Sequence, residues 1–330
     1  MMKITILGTG AYGLSLGYRA IQNQKDVTLY TPIKEEYEKL VETYQSPYLE
    51  NVALPKALKF SYDLASAVQD ANIIIIATPT PYLAELLTNL KGLVLSYQIV
   101  IIGSKGVFPG NKLWMHEAFA GGLKISNYGV LAGPSFATDI IQNMPVELTL
   151  ATNDDIVVDL VKEVLETSSL SIEGTSDLKG VELCGILKNV LAIGSGILHG
   201  LGMTESTKAF YFQQAVCIVK YMLEKCGCQK ETIFTSAGIG DMFLTLSSSH
   251  SRNYQYGVLI GSKQPKDIIA EYESKNTIEG KNGILLLNNQ HLSFEHSIVR
   301  ILYSIIHENE RSERLAEYLC KKIEKPAKLI

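Results

Sequence analysis

The stretch Lys3-Ile4-Thr5-Ile6-Leu7-Gly8-Thr9-Gly10-Ala11-Tyr12-Gly13 decides the fold. Its first five residues are apolar and β-branched enough to form a strand, and Gly8, Gly10 and Gly13 then match G-x-G-x-x-G. In that pattern the first glycine permits a tight turn and the second lets a pyrophosphate approach the backbone. The third allows a helix to pack close to the strand. The helix expected next, Tyr12–Gln22, presents N–H groups and a positive dipole end to phosphates. A glycine-rich turn of packing value only is the plainer explanation. Its place between a strand and a helix, at the head of a β-α-β unit, argues for dinucleotide binding.

Working outward, short apolar runs alternate with helical patterns. Strands are predicted at Val27–Tyr30, Asn72–Thr78, Gln98–Ile102, Gly129–Leu131, Val146–Ala151 and Leu170–Ile172, and helices at Pro81–Leu90 and Asp154–Thr167. An unbroken run such as Ile73-Ile74-Ile75-Ile76 reads as a strand buried on both faces, so helices must cover both sides of a mostly parallel, doubly wound α/β sheet. After about Asp177 strand-like runs give way to helical patterns: Gly180–Ile197, Thr207–Lys225, Met242–Leu246, Phe294–His307 and Glu313–Ile323. The division expected is a Rossmann-type dinucleotide-binding domain over 1–177 and an all-α substrate and catalytic domain over 178–330.

Composition excludes several classes. The 330 residues are 46% hydrophobic and 19% charged with a net charge of −4, values of an ordinary globular protein. No basic block argues for a nucleic-acid partner. The first strand starts at Lys3, so no leader segment is expected ahead of it, and a cytoplasmic location is the default. The most apolar segment, from Val181 to Gly202, is interrupted by Lys188, Asn189 and His199, which reads as a core helix and not a membrane span. The pair Cys226-Gly227-Cys228 lacks a second pair or a nearby histidine, so reduced thiols and no metal site are expected.

Within that apolar segment, Lys188 is out of place. Burying an ammonium without a partner is unfavourable, and desolvation moves a lysine toward the neutral form, which suits proton transfer. The alternative is that Lys188 snorkels to the surface or pairs with a carboxylate. Three other polar clusters interrupt apolar or glycine-rich surroundings. Lys105, in Gly103-Ser104-Lys105-Gly106, follows a strand and suits a phosphate, or is a solvated loop lysine. Ser135, in Gly133-Pro134-Ser135-Phe136-Ala137, reads as an N-cap of the next helix that can also hold an oxygen-rich ligand. Asp241 follows Gly238-Ile239-Gly240 and shares a helix face with Thr245 at i, i+4. Soon after these three clusters, Ser251-Arg252-Asn253 reads as a loop triplet able to grip a phosphate. The end of the second strand, Leu29-Tyr30-Thr31-Pro32-Ile33-Lys34, lacks the acid that would bind an NAD ribose and lacks an arginine for NADP, so either cofactor fits.

In order along the chain, the glycine turn, Ser104-Lys105-Gly106, Gly133-Pro134-Ser135-Phe136-Ala137, Leu187-Lys188-Asn189, Gly238-Ile239-Gly240-Asp241 and Ser251-Arg252-Asn253 resemble the bacterial-type, soluble NAD(P)-dependent glycerol-3-phosphate dehydrogenases. The resemblance implies interconversion of dihydroxyacetone phosphate and sn-glycerol 3-phosphate, with Lys188 as acid/base and Asp241 and Thr245 supporting it. It implies substrate contacts by Lys105, Gly133, Ser135, Asn189, Asp241, Ser251, Arg252 and Asn253. The cofactor would meet Gly8, Gly10, Ala11, Tyr12, Gly13, Lys105, Ala137, Arg252 and Glu279, the last in Thr277-Ile278-Glu279-Gly280. It further implies a homodimer that supplies phospholipid synthesis. This chain departs from the family at Glu205–Gln214, where the family carries an Asn and a Thr-Arg-Gly segment. Other two-domain dehydrogenases, of the 6-phosphogluconate or 3-hydroxyacid type, and a non-catalytic nucleotide sensor are the alternatives.

Overall fold

Isoleucine and valine runs with no polar interruption build the middle of a parallel sheet. In the computed structural model, which describes residues 1–50, 52–110, 114–292 and 297–324, Ile73–Ile76 are at most 1% exposed. The chain divides into two compact units, Met1–Glu182 and Leu183–Ile330.

Among the described residues of the first unit, eight strands form one sheet: β1 Lys3–Leu7, β2 Asp26–Tyr30, β3 Lys59–Ser61, β4 Ile73–Ile76, β5 Ile99–Ile102, β6 Tyr128–Ala132, β7 Val146–Ala151 and β8 Leu170–Thr175. Their order is β3-β2-β1-β4-β5-β6-β7-β8. All neighbours pair parallel except β6 and β7, which run antiparallel. The chain moves outward from β1 to β3, then crosses back to place β4 on the other side of β1. A crevice at the carboxyl ends of β1 and β4 is the topological switch point where such sheets bind ligands. The strand β3 goes beyond the sequence expectation, because three residues at a sheet edge are too few to show a period.

Helices α1 Ala11–Gln22, α2 Lys34–Thr43, α3 Leu64–Val68, α4 Leu83–Leu90, α5 Met115–Leu123, α6 Ala137–Ile141 and α7 Asp155–Leu165 connect the strands. Asp154 caps α7 by accepting from Ile156 N at 2.9 Å, while Pro81 falls in a 3-10 turn, Thr80–Tyr82, ahead of α4. Helix α8, Leu178–Gly200, begins in the first unit and continues into the second. There follow α9 Glu205–Lys225, α10 Asp241–Ser247, α11 Arg252–Gly261, α12 Lys266–Lys275, α13 Glu279–Asn289, α14 Ile298–His307 and α15 Glu313–Glu324. The first residues of the predicted Phe294–His307 helix lie outside the described residues.

At 23 residues, with a mean hydropathy of 1.6 over its most apolar window, α8 is long and apolar enough to cross a membrane, yet that window is wholly buried in the fold. It is the axis of the second unit. Glycines let other helices touch its backbone: a β-carbon at Gly257 of α11 would collide with the Ile193 carbonyl, and one at Gly196 with the Tyr254 carbonyl. Gly257→Ala is therefore expected to lower stability by about 1–3 kcal/mol through overpacking. Gly185→Ala, where a new methyl meets nothing within 4 Å, is expected to raise it by up to about 1 kcal/mol through helix propensity. Thermal melts of the two variants check this, and equal Tm values would remove the close-packing argument.

Candidate active site

The glycine turn is closed underneath and open above. Gly8 has φ +130°, a conformation that disfavours side chains, and a β-carbon there would lie 2.7 Å from the Ala77 carbonyl oxygen. One at Gly13 would collide with the Gly8 carbonyl, whereas one at Gly10 would meet nothing within 4 Å. Gly10 occupies the N-cap of α1 without a side-chain cap, so open space lies at a helix end that favours anions. This cradle fits a dinucleotide pyrophosphate.

The carboxyl ends of neighbouring strands bring further predicted residues to the same edge of the sheet. Lys105 Nζ donates to the Gly133 carbonyl at 2.8 Å and stands 5.9 Å from the centre of the Tyr12 ring. Lys105, Gly133 and Tyr12 are thus neighbours, and Lys105 is half-buried instead of solvated. Ser135 does not cap α6, which starts at Ala137. Phe136 takes the N-cap position with no side-chain cap, because the chain stays extended for one residue more than the sequence suggests. The Ser135 hydroxyl oxygen is out of solvent with no hydrogen-bond partner. A buried hydroxyl in that state is costly unless something binds it.

In the second unit, α8 buries Lys188 to 5% exposure. Its Nζ meets Asp241 Oδ1 at 2.7 Å, and both side chains are nearly out of water. The carboxylate offsets the cost of burying the ammonium. Asp241 reaches this place through an irregular turn, Ser236–Gly240, kinked at Gly238, whose φ −84° and ψ −107° are not helical. Thr245 Oγ1 donates to the Asp241 carbonyl oxygen at 2.6 Å and lies 3.5 Å from Oδ1, so its hydroxyl braces the helix turn more than the carboxylate.

A chain of amides ties three helices together. Asn253 Nδ2 donates to Asn189 Oδ1 at 3.0 Å, Gly280 N donates to Asn253 Oδ1 at 2.9 Å, and Asn189 Nδ2 donates to the Gly185 carbonyl at 3.2 Å. Asn189 is on α8, Asn253 on α11 and Gly280 on α13, whose first residue is the half-buried Glu279. The triplet Ser251-Arg252-Asn253 is not a loop: Ser251 caps α11, accepting from Tyr254 N at 3.3 Å. Ser251, ahead of Tyr254 and Val258 at i, i+4 spacing, is a readable start signal. Arg252 is exposed in the first helical position, and Asn253 is buried.

One acid escaped the reading of the strand end. Glu36, in the first turn of α2, accepts from Thr9 Oγ1 at 2.9 Å and from Thr31 Oγ1 at 2.8 Å. The departing segment at Glu205–Gln214 forms the head of α9. There Thr204 supplies the cap, and the fully buried Tyr211 donates its hydroxyl to the Leu191 carbonyl at 2.8 Å. Local replacement has left the helix packed on α8.

Comparison with known proteins matches both halves to one family. The model of the NAD-dependent glycerol-3-phosphate dehydrogenase N-terminus matches residues 3–158, and that of the C-terminus matches 177–317. Glycerol-3-phosphate dehydrogenase [NAD(P)+] of Carboxydothermus hydrogenoformans is 31% identical over 315 residues, 92% of each chain. Glycerol-3-phosphate dehydrogenase [NAD(P)+] 2 of Lactobacillus delbrueckii subsp. bulgaricus is 30% identical over 290 residues, 86% of each. A crystal structure of glycerol-3-phosphate dehydrogenase from Coxiella burnetii superposes with a TM-score of 0.88 at 27% identity, covering 97% of this chain and 99% of that one. With the glycine cradle at the head of the sheet and a buried lysine–aspartate pair in the helical unit, these matches over both halves make the chain a member of the NAD-dependent glycerol-3-phosphate dehydrogenase family.

Proposed function

We propose that this protein interconverts dihydroxyacetone phosphate and sn-glycerol 3-phosphate, with Lys188 as the group that exchanges a proton with the substrate oxygen. The observation that carries the reading is the buried Lys188–Asp241 ion pair, which joins α8 to the start of α10 in the second unit. Both halves match the same family, which favours this activity over the 6-phosphogluconate and 3-hydroxyacid alternatives. Gly8, Gly10, Ala11, Tyr12 and Gly13 would hold the pyrophosphate of NAD or NADP, with Ala137, Lys105, Arg252 and Glu279 as further cofactor contacts. When bound, that cofactor supplies or accepts a hydride at C2 of the triose.

The chain's own residues manage the charge. In the reducing direction, negative charge grows on the C2 oxygen, and Lys188 Nζ donates a proton to it. Asp241 holds the ammonium in place beforehand, so no reorganisation is needed as the alkoxide forms. Arg252 is the guanidinium proposed to grip the substrate phosphate at the start of α11, where the helix end also favours anions. Ser251 and Asn253 fix that helix start, and Asn189 fixes its place against α8. Lys105, Gly133 and Ser135 are proposed as further substrate contacts, a bound ligand giving the Ser135 hydroxyl the partner it lacks. By the same family resemblance, we propose a homodimer working in the cytoplasm and feeding phospholipid synthesis.

The test is NADH and NADPH oxidation by the purified protein with dihydroxyacetone phosphate and a panel of other carbonyl compounds. Lys188→Ala is expected to reduce kcat by about 10²–10⁴-fold with little change in cofactor affinity, and an unchanged kcat would end the acid/base assignment. Arg252→Ala is expected to raise the KM for dihydroxyacetone phosphate more than it lowers kcat. If triose phosphate binding survives that change, the phosphate grip lies elsewhere.

A further inference from the structure

The residue that chooses between NAD and NADP normally ends the second strand, and here that position is Tyr30-Thr31 with no charge. The fold supplies a carboxylate by another route. The two Glu36 oxygens are each taken by one hydroxyl: Oε1 by Thr9, the variable residue between the first two glycines of the turn, and Oε2 by Thr31, just beyond β2. Thr9 and Thr31 are both buried, at 4% and 1% exposure. Thr31 Oγ1 also accepts from Ile33 N at 3.3 Å, which directs its proton toward Glu36. Two buried donors on one acid are a built arrangement, unlike a free first-turn glutamate.

A carboxylate has about four acceptor sites, and the two threonines use two. The remainder suit neighbouring hydroxyls, such as those of a ribose, and repel a phosphate. Two flanking lysines already have acidic partners. Lys34 pairs with Glu38 at 3.7 Å and Lys59 with Asp26 at 2.6 Å, and no arginine occurs from Asp26 to Tyr44. We propose that Glu36, clamped by Thr9 and Thr31, stands in for the missing strand-end acid and makes this enzyme select NAD(H) over NADP(H). The inference rests on the dehydrogenase reading for the cofactor's presence, but it concerns binding and not turnover.

The experiment titrates NADH and NADPH into the protein without substrate and follows nicotinamide fluorescence. The parent is expected to bind NADH about tenfold or more tighter than NADPH, since a carboxylate beside a 2′-phosphate repels it. Glu36→Gln, which keeps the shape and loses the charge, is expected to tighten NADPH and bring the two affinities within about threefold. A parent that binds NADPH as well as NADH overturns the proposal, and needs no variant to fold. A Glu36→Gln protein with an unchanged ratio and a lowered Tm also overturns it, leaving Glu36 as a brace for α2. If neither nucleotide binds the parent, the cofactor reading of the glycine turn fails and takes this proposal with it. NADH-selective binding without turnover on dihydroxyacetone phosphate would instead sink the substrate assignment and leave the Glu36 selector standing.

Discussion

An ammonium held out of water must have an opposite charge at hydrogen-bond distance, and that requirement organises the second unit. Removing one partner of a buried pair costs about 3–5 kcal/mol, so neither Lys188 nor Asp241 can drift from the 2.7 Å contact without penalty. Three features around α8 hold that geometry. The Ser236–Gly240 turn aims Asp241 inward, and glycines at 196, 257 and 280 let α11 and α13 rest on the α8 backbone with no side chain between. The Asn189–Asn253–Gly280 amide chain then locks the three helices in register. Contacts made backbone to backbone leave little room for adjustment, which is what the proton transfer proposed for Lys188 demands.

Those features differ in how plainly the sequence displays them. β1 and β7 are readable to the residue: β1 is a β-branched run that ends on Gly8, and β7 alternates Glu147 and Thr149 with apolar residues before Thr152. Lys188 stands out because a charge inside an apolar helix contradicts its surroundings. Helix α12 has no buried residue and so carries no inward face for a period to reveal. In α13, Ile284-Leu285-Leu286-Leu287 is a continuous run that reads equally as helix or strand. Ser251-Arg252-Asn253 reads as a loop by its charge and as a helix start by its serine, and the serine decides.

Tertiary facts were harder to see. That Asp241 would face Lys188, and not merely start a helix, depends on α10 and α8 meeting. The Glu36 clamp depends on a helix turn reaching back to a glycine loop, so a search confined to the strand end passes it by. Ser135 looked like a cap because serine before a helix usually is one; the extended Phe136 between it and the helix could be known only from the backbone. In each case the residue type was visible, and its partner was not.

Burial of charge alone does not mark a site, as the first unit shows. Arg19 is fully buried and donates to the Ile140 carbonyl, to Asn143 and Gln22 Oε1, and to Ser169 Oγ. All are neutral acceptors, and a guanidinium keeps its proton. Glu182 accepts from the Met115 and His116 amides at 3.1 and 2.9 Å and from His116 Nδ1 at 2.9 Å. Burial pushes its carboxyl above the ordinary carboxylate range, against the pull of His116. Yet a proton on Glu182 would confront the amide donors it accepts from, so a change of charge would uncap α5. Lys188 and Asp241 escape that conflict. A neutral amine can still donate an N–H to the same carboxylate, so the contact keeps its shape whether or not the proton has left. A hydrogen bond that keeps its shape through a change of charge is what the acid/base role proposed for Lys188 requires, and Glu182 lacks it.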